Sequence, residues 1–420
     1  LHGYKMTLIK QTLNKIGKYL NLDANYFAKS GAYVTANHFV DGFARLILSI
    51  VLARSLSQIV YGQYNFVLSV LGTLAFLSIQ GTTTSIIRSV AKGFDNSIIS
   101  GTKDKIKFSI LGSIGLFIIA AYMYIRGDDI LGHAFVVCGL FFIPYYALVG
   151  SESFLVGKRM FKQLAIYRSL TSIIAVISTV VAIFFTRDIF WIIAALIGST
   201  ALLNIVFYLR TLKFRQNDKT DNDVIKYGRY LTWVGLTTAV FINIDKLVIT
   251  YFLGFKDLAI YSIAMVLPRQ FKLLTKSAVS VIFPELAALN KEDAHKVLRK
   301  RFKQMVITSI VLSVIGALLA PFAIKIIYGD TYTGSILYAQ ILFAFMWLVI
   351  PTVPISEGLL PAQRRGRRML KLNLYTYAIY AILLLFLVPR YGIMGAVISY
   401  ILDRFFIFVY LMSSLKNIED

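Results

Sequence analysis

The chain has 420 residues, of which 57% are hydrophobic and 15% are charged, whereas soluble globular domains carry about 25% charged residues. This composition excludes a soluble globular protein and indicates a polytopic membrane protein. The formal net charge of +23 would suggest a nucleic-acid partner in a soluble protein. Because the basic residues here lie in short loops between apolar segments, we expect no nucleic-acid binding.

Residues 1–30 are predicted to form a cytoplasmic, amphipathic N-terminal segment. Met6, Ile9, Leu13 and Ile16 recur at helical spacing, and lysines occupy the other faces. This pattern is typical of a helix that lies in the membrane interface. The segment lacks the continuous apolar core of a cleaved signal peptide.

The rest of the chain alternates between long apolar segments and short polar loops. Each apolar segment approaches the ~20 residues that cross a bilayer, which predicts an all-α integral membrane protein with about twelve transmembrane helices. The approximate spans are 31–53, 64–87, 107–125, 131–153, 164–185, 189–210, 228–252, 258–288, 304–327, 335–357, 371–388 and 393–414.

Basic residues are concentrated in every second loop, and the intervening loops carry few. The basic loops lie near 88–107, 158–162, 213–229, 291–303 and 364–371. Cytoplasmic loops carry the excess of lysine and arginine in membrane proteins. We therefore expect a multi-pass protein with both termini in the cytoplasm.

The most polar internal stretch divides the chain into two halves. The predicted domains are an N-terminal six-helix bundle at 31–210, a cytoplasmic linker at 211–227, a C-terminal six-helix bundle at 228–414 and a cytoplasmic tail at 415–420.

Two pairs of segments indicate an internal repeat. LARSLSQIVYGQYNF at 52–66 corresponds to TYFLGFKDLAIYSIA at 250–264, and SESFLVGKRMFKQL at 151–164 corresponds to SEGLLPAQRRGRRMLKL at 356–372. Because each half has six helices, corresponding helices run in the same direction, so the repeat is parallel. Transport sites in such proteins lie near the midplane between the halves.

Three cations lie within the predicted span 258–288. Arg269, Lys272 and Lys276 are spaced at i, i+3 and i+7, so they share one face of a helix. Facing lipid, they would together cost roughly 8–10 kcal/mol on the insertion scale. We therefore predict a central cationic cavity that receives an anion. The alternative is that the lysines extend to an interface or pair with internal acids.

The first predicted span contains Asp41 and Arg45, an i, i+4 pair. An acidic residue inside a membrane span suggests a proton or sodium relay. A structural ion pair without a transport role is the alternative. In the seventh span, Asp245 is expected at a depth similar to Arg269 and Arg45. This set forms either a cluster in the cavity or only a clamp between Asp245 and Arg269.

Four further charged residues are candidates for gating or pairing. Arg88 ends the second span and corresponds to Glu285 in the repeat, which suggests a cytoplasmic gate, headgroup capture or an arginine extended to the interface. Glu152 and Glu357 occupy matching Ser-Glu pairs at helix ends.

Signatures of enzymes and cofactor sites are absent from the sequence. It has no Gly-x-x-x-x-Gly-Lys-[Ser/Thr] loop and no Ser/His/Asp or metal-ligand constellation. Its one cysteine, Cys138, excludes an intrachain disulfide. We expect a protein that is not an enzyme and has no cofactor or metal.

Several motifs, in order along the chain, resemble one family. They are LARSLSQIVYGQYNF, TTTSIIRSVAK, INIDKLVITYFLGFKDLAIYSIAMVL, VIFPELAAL, IIYGDTYTGSILYAQILFAF and PRYGIMGAVISYILDRFF. Together they resemble the polysaccharide transporters, specifically the Wzx-type O-antigen flippases, of the multidrug/oligosaccharidyl-lipid/polysaccharide exporter superfamily.

This resemblance implies a MATE-like fold of two six-helix bundles with alternating access, in the bacterial inner membrane. The implied cargo is an undecaprenyl-diphosphate-linked oligosaccharide, moved from the cytoplasmic to the periplasmic leaflet for O-antigen synthesis. Arg45, Arg88, Arg269, Lys272 and Lys276 would then bind the diphosphate. Asp41 and Asp245 would be the candidates for coupling to H⁺ or Na⁺. Membrane lipids and a polysaccharide polymerase or chain-length machinery are the other expected partners.

Two alternatives belong to the same superfamily. Lipid II flippases also use cationic cavities but usually have about fourteen helices. Multidrug antiporters share the twelve-helix plan and an acidic residue in the first helix, although stacked cations would repel the cationic cargo of many of them.

Overall fold

The computed structural model describes residues 24–270, 291–353 and 366–416. Within these ranges the regular structure is helical, and nine helical segments are long and apolar enough to cross a membrane. The all-helical membrane fold predicted from hydropathy is confirmed.

The described part of the first half, from residue 24 onward, contains eight helices. Their bounds are α1 Ala24–Ser55, α2 Gln58–Leu74, α3 Gly81–Ala91, α4 Ser97–Ile125, α5 Asp129–Tyr146, α6 Gly150–Gly157, α7 Phe161–Phe185 and α8 Ile189–Leu212.

The described part of the second half contains six helices and several short 3₁₀ turns. The helices are α9 Val224–Phe241, α10 Ile244–Leu253, α11 over 255–270, α12 Lys291–Tyr328, α13 Ile336–Ala344 and α14 Gly366–Lys416.

Two predicted spans merge in α14, and the seventh predicted span is divided. The chain kinks within α14 at Gly392, whose φ of 58° lies in the left-handed region that favours glycine. The seventh predicted span is formed by α9 and α10, which are separated by a break before Asn243. Helix α11 is the start of the eighth predicted span, and the remainder of that span lies outside the described residues.

The second span differs from the single helix expected at 64–87. Helix α2 ends at Leu74, a 3₁₀ turn covers Ala75–Ser78, and α3 follows. The break occurs because Ile79 adopts a φ of 48°, which ends the helical hydrogen-bond ladder. The carbonyl of Ala75 is satisfied by the side chains of Ser78, at 2.8 Å, and Gln80, at 3.2 Å.

The two ends of the bundle are distinguished by their loops. The linker end contains the loops 92–96, 158–160 and 213–223, which are hydrogen-bonded to one another. Asn96 donates its backbone N–H to the Lys219 carbonyl at 3.0 Å, and Lys158 forms a 2.7 Å ion pair with Asp95. The opposite end contains the turns after α1, α4, α7, α10 and α12.

The main apolar core joins both halves. It includes Leu52 and Val67 from the first half and Ile249, Tyr261 and Leu384 from the second, each at most 1% exposed. A smaller core of Ile86, Val90, Ile98, Phe154 and Val224 lies near the linker end.

Candidate functional site

Polar side chains of α1 and α7 form a continuous strip between the two helices. Ser172 donates a hydrogen bond to Asp41 Oδ1 at 2.8 Å, and Asn37 donates to the Ser169 hydroxyl at 3.2 Å. Arg45 Nε donates to Asp41 Oδ2 at 3.0 Å. We call Asn37, Asp41, Arg45, Arg168, Ser169 and Ser172 the inner wall.

The inner wall faces away from the apolar surfaces of its helices. Phe39, Phe43 and Ile47 are exposed along one side of α1, and helical geometry places Asp41 and Arg45 on the other side. The Arg45 side chain is nevertheless 75% exposed. It lies within electrostatic reach of the Tyr64 hydroxyl, on α2. Arg45 therefore lies on the polar side of α1, away from the exposed apolar residues of that helix.

The Asp41–Arg45 pairing expected from the sequence is present in the structure. Its third member, Ser172, comes from a helix far along the chain and was not anticipated. Whether Asp41 carries a coupling ion stays a prediction. Counting from Ser55 at the end of α1, Arg45 lies about 15 Å and Asp41 about 21 Å along the helix axis.

Asp245 is the centre of a buried polar network in the second half. Its side chain is 5% exposed, and Tyr261 donates its hydroxyl to Asp245 Oδ2 at 2.8 Å. Arg269 Nη2 lies 3.8 Å from the same oxygen, and the Arg269 side chain is 49% exposed. The geometry therefore contains the Asp245–Arg269 clamp, with the arginine at its accessible end.

The network continues into α14 through groups that sequence reasoning missed. The Tyr380 hydroxyl lies within electrostatic reach of Tyr261 and Asp245. Asp403 and Arg404 form a 2.7 Å ion pair, and the Arg404 guanidinium lies 5.0 Å from the centroid of the Tyr400 ring. Adjacent charges in the apolar segment SYILDRFF were the signal that could have found this pair.

The two halves approach each other at the depth of these charges. A Cβ added to Gly42 would lie 3.7 Å from Gln270 Oε1. Gly42 follows Asp41 and Gln270 follows Arg269, so these two charged residues occupy neighbouring helices of different halves. Arg269 lies about 21 Å along α11 from its start, the same depth as Asp41.

Glu152 lies nearer to the linker end and pairs with a residue that the sequence did not single out. Arg168 donates from Nε at 2.9 Å and from Nη2 at 2.7 Å to Glu152 Oε2. The Lys105 ammonium, whose residue is fully buried, lies within electrostatic reach of Glu152. Glu152 is thus a pairing residue, and a gating role for it stays a prediction.

Arg88 is exposed at the linker end. Its guanidinium lies 4.6 Å from the centroid of the Tyr227 ring on α9, a cation–π contact between the halves. Whether it also acts as a gate or captures headgroups stays a prediction. The predicted residues Lys272, Lys276, Glu285 and Glu357 lie outside the described residues.

At the opposite end, the halves are joined by close contacts. Arg54 donates to the carbonyls of Ile327 and Ile326, and the Ser49 and Tyr328 hydroxyls are 3.1 Å apart. Helix α2 approaches α11 so closely that a Cβ on Gly62 would lie 1.9 Å from a backbone oxygen. Only glycine permits this approach.

At the linker end, α9 docks onto α3 and α4. A Cβ on Gly81 would lie 2.3 Å from the backbone nitrogen of Thr232, so this contact also requires glycine. Arg229 donates two hydrogen bonds to the Asp104 carboxylate, from Nε at 3.1 Å and from Nη2 at 2.6 Å. The two halves therefore have a glycine contact at each end.

The linker is held to α3 by Asp221. Its Oδ2 accepts a hydrogen bond from the Ser89 hydroxyl at 2.8 Å. Burial raises the pKa of the Asp221 carboxyl, but the Asp223 backbone N–H, the Ser89 hydroxyl and the charges of Lys92 and Arg88 outweigh burial. The pKa of Asp221 therefore lies below its ordinary value of 3.8.

Within the described ranges, no group of three or more histidine, cysteine or acidic residues is arranged to hold a metal ion. The charged groups instead form carboxylate–arginine pairs, namely Asp41–Arg45, Asp245–Arg269 and Glu152–Arg168. Each such pair is nearly neutral by itself. Guanidinium groups in general can form bidentate hydrogen bonds to phosphate as well as to carboxylate.

Comparison with known proteins identifies the family to which the chain belongs. The family model of polysaccharide biosynthesis proteins matches residues 51–337. A candidate O-antigen transporter of Shigella flexneri is 23% identical over 378 residues, which cover 83% of this chain and 88% of that protein.

Solved structures share the fold. An inward-facing multidrug transporter of the MATE family gives a TM-score of 0.66 at 13% identity, over 90% of this chain and 96% of that chain. The lipid II flippase MurJ, in an inward closed conformation, gives 0.64 at 12% identity, over 91% and 87%. A transporter of the same superfamily from Pyrococcus furiosus gives 0.60 at 13% identity, over 93% and 96%.

These matches confirm the predicted resemblance to the exporter superfamily and its MATE-like fold. They also identify the molecule as a multi-span membrane transporter of the type used in polysaccharide biosynthesis, rather than an enzyme.

Proposed function

Because the chain belongs to the family of polysaccharide biosynthesis proteins, we propose that it is a flippase for an undecaprenyl-diphosphate-linked oligosaccharide. The cargo moves from the cytoplasmic to the periplasmic leaflet of the bacterial inner membrane, for the synthesis of O-antigen or a similar surface polysaccharide. The observation that carries this proposal is Arg45, an exposed guanidinium on the inner wall at mid-depth of the membrane.

The cargo chemistry explains why arginines are needed at this depth. A diphosphate is an anion that hydrocarbon does not admit without compensation. Arg45 lies about 15 Å and Arg269 about 21 Å along its helix from the opposite end of the bundle. Both depths are well within a hydrocarbon core ~30 Å thick. Lys272 and Lys276, predicted on the Arg269 face, would extend the same surface.

The carboxylate partners suit a site that binds and then releases. Without cargo, Asp41 and Asp245 balance the charges of Arg45 and Arg269, so neither arginine is left as an uncompensated charge. With cargo, phosphate oxygens take over part of the guanidinium surface. Dissociation is then assisted because the carboxylate is available to replace the phosphate.

Alternating access is supported by the glycine contacts between the halves. Gly62 at the opposite end and Gly81 at the linker end each permit backbone-to-backbone contact without a side chain between them. Such contacts separate as rigid surfaces when two bundles rock about a central site. In this structure the halves are in contact at both ends, so in this proposal the linker-end contact opens to admit cargo and the opposite-end contact opens to release it.

The linker end is cytoplasmic in this proposal, together with both termini, because it carries the basic loops. The coupling ion is H⁺ or Na⁺, and Asp41 and Asp245 are its candidate carriers. Arg88 at the cytoplasmic surface meets anionic headgroups as the cargo approaches. A polysaccharide polymerase or the chain-length machinery receives the product.

A lipid II-type flippase is the second candidate, supported by the structural similarity to MurJ at a TM-score of 0.64. It would use the same arginines, because both cargoes are polyprenyl diphosphates. A multidrug antiporter shares the fold and the acidic residue Asp41. Its activity would not require Arg45 or Arg269.

The test is deletion of the gene in its host, followed by complementation. Surface polysaccharide and lipid-linked intermediates are measured for the wild type and for Arg45→Gln, Arg269→Ala, Lys272→Ala and Asp41→Asn. The matched control is Arg126→Gln, which removes an exposed arginine from the turn after α4.

We expect loss of surface glycan and accumulation of repeat units on undecaprenyl diphosphate inside the deleted strain. The cavity variants should fail to rescue this defect although they are inserted in the membrane, and Arg126→Gln should rescue it. Normal glycan together with altered drug sensitivity would refute the flippase proposal and support the antiporter. Accumulated lipid II and arrested cell-wall synthesis would support the second candidate.

A further inference from the structure

Three charges from three different helices meet between the linker end and Asp41. They are Lys105 of α4, Glu152 of α6 and Arg168 of α7, and together they carry a formal net charge of +1. Neither Lys105 nor Arg168 belongs to the site inferred from the sequence. Arg168 belongs to the part of the inner wall nearer the linker end, which a cargo from that end reaches before Arg45.

Arg168 lies on the inner-wall face of α7. Ile166, Leu170 and Ile173 are exposed on the other side of this helix, and Arg168 shares its side with Ser172, which bonds Asp41. The side chains of Arg168 and Glu152 are 37% and 27% exposed. The pair is therefore accessible from the same space as Arg45.

The geometry of the Arg168–Glu152 pair allows Arg168 to exchange Glu152 for another anion. Both Nε and Nη2 of Arg168 donate to a single oxygen, Glu152 Oε2. An ideal arginine–carboxylate fork would use both carboxylate oxygens. The guanidinium is thus held in place without the two-oxygen geometry that would bind it most strongly.

Lys105 supports Glu152 from the protein interior. The Lys105 residue is fully buried, its Nζ donates to Thr83 Oγ1 at 3.2 Å, and Glu152 is within its electrostatic reach. Glu152 therefore has a buried cation nearby in addition to its accessible partner Arg168. If Arg168 turns to another anion, Glu152 retains a compensating charge and does not become an isolated buried carboxylate.

We propose that Arg168 binds the phosphate groups of the cargo on its way to Arg45, and that Glu152 and Lys105 are positioning residues for this step. The inference rests on the proposed function, because it takes a polyprenyl diphosphate as the cargo. Arg168 lies about 10 Å and Ser172 about 16 Å along α7 from its start at Phe161. A diphosphate can therefore pass from Arg168 to the Asp41–Arg45 level in one short step.

The experiment measures binding of radiolabelled undecaprenyl diphosphate to the purified full-length chain in detergent, with undecaprenol as the uncharged comparison. The variants are Arg168→Gln, Glu152→Gln and Lys105→Met, and Arg126→Gln is the matched control. Thermal unfolding of each variant is recorded in parallel.

We expect Arg168→Gln to weaken binding of the diphosphate by about tenfold, the loss typical of one charge-assisted hydrogen-bonded contact. Glu152→Gln should strengthen binding several-fold, because it removes the anion that competes for Arg168, although it lowers the unfolding temperature. A purely structural ion pair would not give this opposite change in affinity. Lys105→Met should weaken binding less than Arg168→Gln does.

Two results would overturn the inference. One is Arg168→Gln binding the diphosphate as well as Arg126→Gln does, and the other is Glu152→Gln losing affinity in parallel with stability. If Arg168→Gln does not fold, the test is whether Glu152→Gln strengthens or weakens binding of the diphosphate. If the wild type itself does not prefer the diphosphate over undecaprenol, the proposed function fails as well, so the two failures are distinguishable.

Discussion

The contact at Gly62 offers a direct test of how the two halves close at the opposite end. In Gly62→Ala, the new Cβ would lie 1.9 Å from the Phe255 carbonyl oxygen and 2.6 Å from its carbon. Contacts of Cβ atoms below 3.0 Å essentially never occur, so α2 and α11 must separate by at least about 1.1 Å. The obstacle is backbone and cannot rotate away as a side chain would.

The expected size of the effect follows from overpacking. A methyl group forced into a close-packed contact costs about 1–3 kcal/mol. The cost applies only to the conformation in which α2 and α11 touch, so the population should shift towards a state that is open at the opposite end. A difference of 1–3 kcal/mol changes the ratio of the two states by about 5- to 150-fold.

The assay is labelling of a reporter cysteine with a membrane-impermeant maleimide. Cys138 is fully buried and is replaced by alanine, and Ser49→Cys is introduced where Ser49 meets Tyr328. The reagent is applied to each face of the membrane in turn. Gly62→Ala should raise the labelling rate from the opposite-end face. Gly81→Ala, which disrupts the linker-end contact, should not raise it.

The control is Gly235→Ala, because a Cβ at Gly235 meets no atom within 4 Å. Equal labelling rates for Gly62→Ala and Gly235→Ala would refute the reasoning that the Gly62 contact stabilises closure. An equal increase in the labelling rate for Gly62→Ala and Gly81→Ala would also refute it, because both substitutions would then only loosen the fold.

Two predictions concern stability. Tyr261→Phe removes the hydroxyl that donates a hydrogen bond to the buried Asp245 carboxylate, so it should destabilise the protein by about 1–3 kcal/mol and lower its unfolding temperature in detergent. The control Tyr251→Phe changes a side chain that is 83% exposed and should leave the unfolding temperature unchanged. Equal unfolding temperatures for the two variants would contradict this role of Tyr261. Because the pKa of Asp221 is lowered in the folded chain, its stabilisation is complete above about pH 3.8 and is lost as the pH falls through the folded-state pKa. Asp221→Asn should therefore be less stable at pH 7 and show a weaker loss of stability on acidification, measured as unfolding temperature against pH; an unchanged acid profile would disprove the assignment.

Local features of the sequence predicted much of the fold. Hydropathy located the apolar segments because a bilayer sets their length independently of how they pack. The Asp41–Arg45 pair was predictable because residues four apart lie on one face of any helix. The Asp245–Arg269 contact followed from matching depths on neighbouring spans, although their separation of 3.8 Å required the structure.

Breaks within spans were only partly predictable. The break between α2 and α3 depends on Ile79, which adopts the left-handed backbone conformation. Position 79 is neither glycine nor proline, so its residue type did not predict this conformation. It is stabilised by the docking of α3 against α9, where Gly81 meets Thr232. A tertiary contact of this kind overrides the helix propensity of the predicted span.

The sequence by itself determined that this is a membrane protein with charges buried in its spans, and that some of those charges share a helix face. Only the tertiary structure decided which partners they have. Arg168 reaches Glu152, and Ser172 reaches Asp41 from a different helix. The physical reason is that the spacing along a helix is fixed by its backbone hydrogen bonds, whereas contacts between helices depend on which of their faces pack together.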